Sequence, residues 1–455
     1  MTSSSSSMAL LVLCLLPLQF FLVVLAADPP YGQLKVSGGK LVGSNGQAVA
    51  LHGMSLFWSS FSEGSPFYTA DVVKQLKCSW NANLVRAAMG VEEGSGYLSN
   101  KQGQMSMVET VIKAAIAEGI YVLVDWHDHN AQNHQSQAIE FFTYIAKTYG
   151  NNPHIIYETF NEPLQVDWGV VKPYHVAVVA AIRASDPDNV IVLGTPTWSQ
   201  DVDVAATNPV SGTNLCYTMH YYAATHKQSL RDKTQAALNK GVCVFVTEYG
   251  TVSADGNGGM DQASSNEWYT FLDNNKISYA NWAVDAKSES SAALNPGTQP
   301  SQISSDSVLT ASGSFVKAKL KSQNNGVSCS GSPAATTTTK AGATTTKAAA
   351  TTTKAPSGGG GSASVSVSVV AVSTWNGGGQ YKVVIKNTGS KAVCKVVFKL
   401  SASAASLWNA DPGSGSGPFT TASWINIPAG QSNESVGFTV NGSAPSASVV
   451  SATAC

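Results

Sequence analysis

The chain has 455 residues, and Lys+Arg 27 against Asp+Glu 28 leaves a net charge of −1. Only 12% of residues are charged and 43% are apolar, which excludes a chain held to nucleic acid by dense phosphate contacts and a charged disordered chain. Ten Trp, forty Gly and abundant Ser and Thr place the polarity in hydroxyls and amides rather than ions. Such groups beside aromatic faces suit a neutral polyhydroxylated ligand.

Residues 8–27, MALLVLCLLPLQFFLVVLAA, are uncharged and end in small residues. The pattern predicts a secretory signal peptide over 1–27, cleaved near Ala26 or Ala27. A signal anchor is the rival, because ~20 apolar residues can span a bilayer. Pro17 inside the run favours cleavage. The mature chain is then expected to be secreted and extracellular, with no membrane attachment, where disulfides persist. Of seven Cys, Cys14 would leave with the signal, and no Cys or Cys/His pair has zinc spacing.

From 28 to 329, short β-branched runs alternate with amphipathic stretches. The runs are 48–55, 82–87, 120–127, 155–162, 190–195, 215–222, 242–248 and 279–284. Helical patterns include 105–118, 137–149, 170–185 and 229–240. Eight strands alternating with helices predict an α/β fold, a (β/α)8 TIM barrel. An open doubly wound sheet would call for a glycine-rich phosphate loop after the first strand, and residues 52–58 offer none. Residues 34–51, with LVGSNGQAVAL around a Gly turn, predict a hairpin closing the barrel floor. Cys216 and Cys243 fall near the starts of neighbouring strands and can bridge if their geometry allows. Cys78 and Cys329 then remain, and sequence alone does not pair them.

Residues 330–362 read ATTTTKAG, ATTTKAA, ATTTKAP and SGGGGSAS, with Lys340, Lys347 and Lys354 seven apart. Thr and Ala cannot build a core, so this is expected to be an extended linker. Residues 363–455 show Val, Ser, Phe and Lys in alternating runs between Gly and Asn clusters, without a helical period. They predict an all-β sandwich.

Barrel enzymes carry function at the C-terminal ends of their strands. The polar residues there are Arg86, His127, Asn161, Glu162, His220, Tyr222 and Glu248, with Trp282. Glu162 in IIYETFNEP and Glu248 in VCVFVTEYG can face each other across the rim. A facing carboxyl pair is what glycosidic hydrolysis requires, one to protonate the leaving oxygen and one at the anomeric carbon. HDH in VDWHDH invites a metal reading. It is set aside because the carboxyl pair completes the chemistry, and Asp128 and His129 are set aside in favour of His127. No metal and no cofactor are expected.

NLVRAAM, VDWH, YETFNEP, GTPTWSQDV, MHYYAATH, FVTEYG and NWAVDAKSES run in order through nearly all of 34–318. In these motifs the chain resembles glycoside hydrolase family 5, most closely its bacterial-type endo-β-1,4-glucanase branch. The resemblance implies Glu162 as general acid/base and Glu248 as nucleophile of a retaining double displacement. It implies Arg86 and Tyr222 bonding Glu248 to keep it ionised, and Asn161 on a sugar 2-OH. His127 and His220 would complete the cleavage subsite, with His220 orienting a carboxylate. Trp282 would be a sugar platform, Trp198 the plus-side aromatic, and Lys287 and Glu289 minus-side contacts. The chain departs from the family at Phe57, where many relatives carry His, and in the loop 128–134.

STWNGGGQYKVVIKNTGS, SLWNADPGSGSG and SWINIPAGQSNESVGFTVNGS resemble carbohydrate-binding module family 2. This implies Trp375, Trp408 and Trp424 as exposed rings that stack on cellulose. The family's opening Cys is absent, which leaves Cys394 and Cys455 as candidate partners. The reading is a secreted monomeric endo-β-1,4-glucanase acting on cellulose and related β-glucans of plant cell walls, without nucleic acid as a partner. The rivals are a hydrolase of mannan, xylan or mixed-linkage glucan, and a non-catalytic wall-binding protein.

Overall fold

A computed structural model of the chain describes residues 27–329 and 364–455, apart from 376, 413, 422–424 and 443–444. The side chains of 372–375, 406, 408 and 435 are likewise outside the description. The expected linker and all but Ala27 of the expected signal therefore lie outside it. Trp424 and the side chains of Trp375 and Trp408 do too. The chain divides into two compact units, Met1–Ala335 and Thr336–Cys455. Among the described residues, no helix is long and apolar enough to cross a membrane.

The first unit opens with a hairpin, β1 (Lys35–Ser37) and β2 (Lys40–Val42). Eight parallel strands then close into a barrel. They are β3 (His52–Leu56), β4 (Leu84–Gly90), β5 (Tyr121–His127), β6 (Ile155–Glu158), β7 (Val190–Leu193), β8 (Leu215–Tyr222), β9 (Cys243–Gly250) and β10 (Ser278–Val284). Every strand but β8 is buried along its whole length, because helices cover one face and the barrel interior the other. This explains why the runs read as continuous rather than alternating. The hairpin expectation holds: Leu34, Leu41 and Leu51 pack against Leu84, Tyr121 and Phe245 in one cluster at the strand starts.

Of the strand boundaries that differ from expectation, two do so for a clear hydrogen-bonding reason. Val49 N–H donates to the Leu41 carbonyl, which keeps 48–51 with the hairpin, so the first barrel strand starts at His52. The fourth strand stops at Glu158. Beyond it Asn161 N–H turns to the Trp126 carbonyl and Glu162 N–H to that of Asp128, lifting both side chains onto the rim.

Helices at Ala70–Trp80, Gln262–Asn275 and Ala311–Ser322 join those read from the sequence. Their N-caps are side chains of Thr69, Asp261 and Thr310, each accepting a backbone N–H in the first turn. Disulfides join Cys216 to Cys243 and Cys78 to Cys329, with Cα separations of 4.5 and 5.6 Å.

The second unit has two four-stranded antiparallel sheets. One orders β11 (Val365–Trp375), β12 (Gly378–Asn387), β17 (Ser432–Asn441) and β14 (Ser406–Trp408). The other orders β15 (Ala410–Asp411), β16 (Phe419–Thr421), β13 (Val393–Leu400) and β18 (Ala447–Ala454). Ile385, Val396, Phe398, Phe419 and Phe438 from both sheets form one buried core. Cys394 is bonded to Cys455.

Candidate active site

Arg86 lies on β4 and is wholly buried. All five of its N–H donors are used. Nε donates to Glu158 Oε2 at 2.8 Å, and Nη1 to Glu248 Oε2 at 3.0 Å and Ser55 Oγ at 3.2 Å. Nη2 donates to Asn161 Oδ1 at 2.6 Å and pairs with Asp125 Oδ2 at 2.9 Å. Only a guanidinium presents this many fixed donors.

Glu248 is 4% exposed at the rim end of β9. Tyr222 OH donates to its Oε1 at 2.8 Å. The expected bonds from Arg86 and Tyr222 are therefore both present, and both lower the Glu248 carboxyl against a larger upward effect of burial. One guanidinium serves three buried carboxylates. Burial beside Glu162 pushes the Glu248 carboxyl up, against the opposing charges of His220 and Arg86 and the Tyr222 hydroxyl. Asp125 is pushed up further, chiefly by burial. Glu158 alone of the three is held low, by Arg86 against its own burial.

Glu162 is held by two imidazoles. His220 Nδ1 lies 2.8 Å from Oε1, and His129 Nε2 lies 3.3 Å from Oε2. Burial opposes ionisation of Glu162, but the bonds from these rings overcome it and hold the carboxyl down at about 2. The His220 ring is raised to about 9, because its bonds to Glu158 and Glu162 outweigh burial. The acidic proton of the free cleft thus rests on the imidazole side of the pair. An oxygen of Glu162, an oxygen of Glu248 and a nitrogen of His220 all lie within 4.8 Å of one another.

His127 stacks face to face on Trp282 at 5.1 Å and 3°, and its Nδ1 lies 2.6 Å from Asp125 Oδ2. Trp282 is 6% exposed, so only a small part of its ring meets the cleft. Phe57 packs on Trp282 at 5.3 Å, and the Lys287 ammonium lies 5.3 Å over the Phe57 ring. Lys287 and Glu289 form an ion pair with each other. Trp198 is on a different wall and is 38% exposed. It shares a cavity with Glu162, Glu248, Gln200 and His226.

All the barrel residues singled out from the sequence fall on this rim or its walls. Several others were missed. Asp125 is two residues before His127 on β5, so both point into the barrel by strand alternation, a signal the sequence did carry. Glu158 was hidden because the strand was read as running on to Glu162. His129 was set aside, yet its ring meets the Glu162 carboxyl. Trp58 had no assigned role, and it contacts the rings of His127 at 4.1 Å and His129 at 5.5 Å. A second acid–imidazole group, Glu92, Asp128 and His134, lies on the same rim. His134 Nδ1 sits 2.8 Å from Asp128 Oδ2, a hydrogen bond that fixes the loop carrying His129.

The sequence profile of the cellulases, glycosyl hydrolase family 5, matches residues 42–288. The chain belongs to this family. It is 48% identical over 291 residues to endoglucanase Z of Dickeya dadantii (strain 3937), a match covering 64% of this chain and 66% of that one. The chain thus spans just under two thirds of the length of that relative. A solved structure from Cytophaga hutchinsonii is 47% identical, covers 64% of this chain and 95% of its own, and superposes with a TM-score of 0.63. The catalytic domain of Thermobifida fusca endoglucanase Cel5A, in complex with cellotetraose, is 31% identical. It covers 65% of this family 5 chain and 100% of its own, with a TM-score of 0.61.

Proposed function

We propose that this chain is a secreted endo-β-1,4-glucanase that cleaves cellulose with retention of anomeric configuration. The observation that carries the reading is the separation of the two carboxyl groups. Their nearest oxygens lie within 4.8 Å. Retaining pairs sit at roughly 5–5.5 Å between carboxyl groups, whereas an inverting pair leaves roughly 6.5–9.5 Å for a water. Family membership, and the endoglucanase and cellotetraose-bound relatives, support a β-glucan as substrate.

In this reading Glu248 attacks the anomeric carbon while Glu162 protonates the leaving oxygen, drawing on the proton held in its pair with His220. The C–O bond to the leaving sugar breaks as the bond to Glu248 forms. Water then attacks the anomeric carbon, giving its proton to Glu162, and Glu248 leaves as a carboxylate. Asn161 has its carbonyl end engaged by Arg86, so its NH2 end is the donor left for the sugar 2-OH. Trp282 and His127 form the wall behind the reacting ring. Lys287 and Glu289 serve the minus side.

The remaining organisation belongs to the same proposal. Residues 1–27 are the signal, 330–362 the linker, and 363–455 a cellulose-binding module using Trp375, Trp408 and Trp424. Reducing-sugar release on carboxymethylcellulose, mannan and xylan tests the substrate, with the anomer of the first product followed by NMR. Cellulose is expected to be hydrolysed best and the β-anomer to appear first. Glu248→Gln should abolish hydrolysis and leave pelleting with cellulose intact. Mannan as the much better substrate, an α-product, or activity surviving Glu248→Gln would overturn the reading.

A further inference from the structure

Both oxygens of the Glu162 carboxyl are engaged in the free cleft. Oε1 meets His220 Nδ1 at 2.8 Å, and Oε2 meets His129 Nε2 at 3.3 Å. A carboxyl that protonates a leaving oxygen must present one of its own oxygens to it, so one imidazole has to withdraw. His220 is not free to do so. Its other nitrogen lies 2.8 Å from Thr247 Oγ1, and the residue is 2% exposed. His129 has the longer contact, and its side chain is 26% exposed.

A second partner already faces the other nitrogen of the His129 ring. Glu93 Oε1 lies 3.9 Å from His129 Nδ1. A shift of about 1 Å brings this pair into hydrogen-bond range. The backbone beside the ring is tied down. Glu162 N–H donates to the Asp128 carbonyl at 3.3 Å, and Asp128 Oδ1 accepts the Asn130 N–H at 2.8 Å. The movement is therefore one of the side chain, with the Trp58 ring 5.5 Å away as a wall. Burial lowers the affinity of His129 for a proton, but the bond to Glu162 and the charges of Glu162, Glu93 and Glu248 raise it above its ordinary value. A cation that exchanges one carboxylate for another keeps a charge partner throughout.

We propose that His129 is a positioning residue that caps Glu162 Oε2 in the free cleft and moves to Glu93 when a glycosidic oxygen takes its place. The inference rests on the hydrolase reading given above, because it needs Glu162 to act on a leaving oxygen. The exchange has a chemical consequence. Among the bonds that hold the Glu162 carboxyl low against its burial, the one from His129 is the largest and the one from His220 follows. Losing the first raises the affinity of the carboxyl for a proton just as the leaving oxygen arrives. The substrate that needs the acid thus makes it ready, and its binding breaks one contact in doing so.

The test uses the full chain and two substrates at one fixed pH. Cellotetraose has a leaving oxygen that must be protonated, whereas 2,4-dinitrophenyl β-cellobioside releases a phenolate that needs no proton. In His129→Ala the KM for cellotetraose should fall roughly three- to tenfold with kcat little changed, the order expected when one hydrogen bond no longer has to be broken. The aryl cellobioside should change less than about twofold, because its leaving group makes no demand on Oε2. Glu93→Gln should raise the KM for cellotetraose several-fold by removing the receiving carboxylate, and this effect should vanish in the His129→Ala background. Should His129→Ala not fold, His129→Gln reads the same quantities. A KM for cellotetraose that stays or rises, or an equal change on both substrates, would overturn the cap and leave the hydrolase reading standing. A Glu93→Gln effect that persists without His129 would overturn the hand-over. No hydrolysis of either substrate by the unaltered chain would overturn the hydrolase reading, and the cap with it.

Discussion

His220 bridges two elements of the barrel: its Nδ1 lies 2.8 Å from Glu162 Oε1 and its Nε2 2.8 Å from Thr247 Oγ1. The ring cannot turn without breaking one of these bonds, so its charge is fixed against the Glu162 carboxyl.

That arrangement predicts a pH profile. The folded His220 is raised from 6.5 to about 9, so its contribution to stability is full below 6.5 and is lost as pH rises through about 9. The folded Glu162 is lowered from 4.5 to about 2, so its contribution is full above 4.5 and is lost as pH falls through about 2. The alkaline limb of kcat/KM should therefore lie near pH 9, where the pair loses its shared proton. In His220→Gln the proton can rest only on Glu162 or its other partner, His129, and the limb should move to lower pH by at least one unit. A limb that stays in place would show that the pair does not carry the catalytic proton.

Arg86 predicts a different kind of failure. Arg86→Lys keeps the charge but offers three donors in place of five, so at least two of the five bonds are lost. Breaking a buried ion network of this kind costs about 3–5 kcal/mol. Denaturant unfolding should show a loss on that order, and kcat/KM should fall at least a hundredfold, because Glu248 and Asn161 are both held by this one side chain. A variant with unchanged stability and activity would mean that the three carboxylates settle their charges without Arg86.

Gly256 has φ +79°, and a Cβ placed there would lie 1.8 Å from Glu289 Oε1. Gly256→Ala must therefore displace the Glu289 carboxylate and its ion pair with Lys287. KM for long cello-oligosaccharides should rise several-fold, while hydrolysis of a short aryl cellobioside should change less. Equal effects on both substrates would place Glu289 away from the sugar-binding wall.

Much of this was legible in sequence because barrel strands and their rim residues are periodic. The alternation of β-branched runs with amphipathic stretches gave the barrel, and the polar ends of the runs gave Arg86, His220, Tyr222 and Glu248. What was not legible depends on where the backbone leaves the sheet. Nothing in VDWHDHN says that the chain turns back after His127, so that His129 reaches Glu162 across the rim. Nor does the PTWSQ segment announce three left-handed residues, since none is Gly. Their conformation is imposed by bonds to residues more than thirty positions away in the chain. The crowding around Arg86 had the same origin: an Arg beside a Glu reads as a pair, and only the fold reveals two further carboxylates on the same guanidinium.

The disulfides give a final prediction, based on chain topology. Cys78 and Cys329 are 251 residues apart, whereas Cys216 and Cys243 are 27 apart. If crosslinks act by limiting the unfolded chain, the long loop is worth about 5.5 kcal/mol and the short one about 3.5. The same junction is also tied by Trp80 Nε1 to the Ile303 carbonyl at 2.8 Å and by Asn81 Nδ2 to the carbonyls of Leu320 and Gln323 at 2.8 and 2.9 Å. These bonds keep the helix Ala70–Trp80 against the end of the barrel after the crosslink is removed, so the native geometry survives and the loss falls on the unfolded side of the equilibrium. The double variant Cys78→Ser with Cys329→Ser should then lose more stability than Cys216→Ser with Cys243→Ser, read as Tm in calorimetry, with kcat/KM at low temperature close to that of the unaltered enzyme. The reverse order would show that the buried Cys216–Cys243 bond acts through packing between β8 and β9 rather than through loop closure.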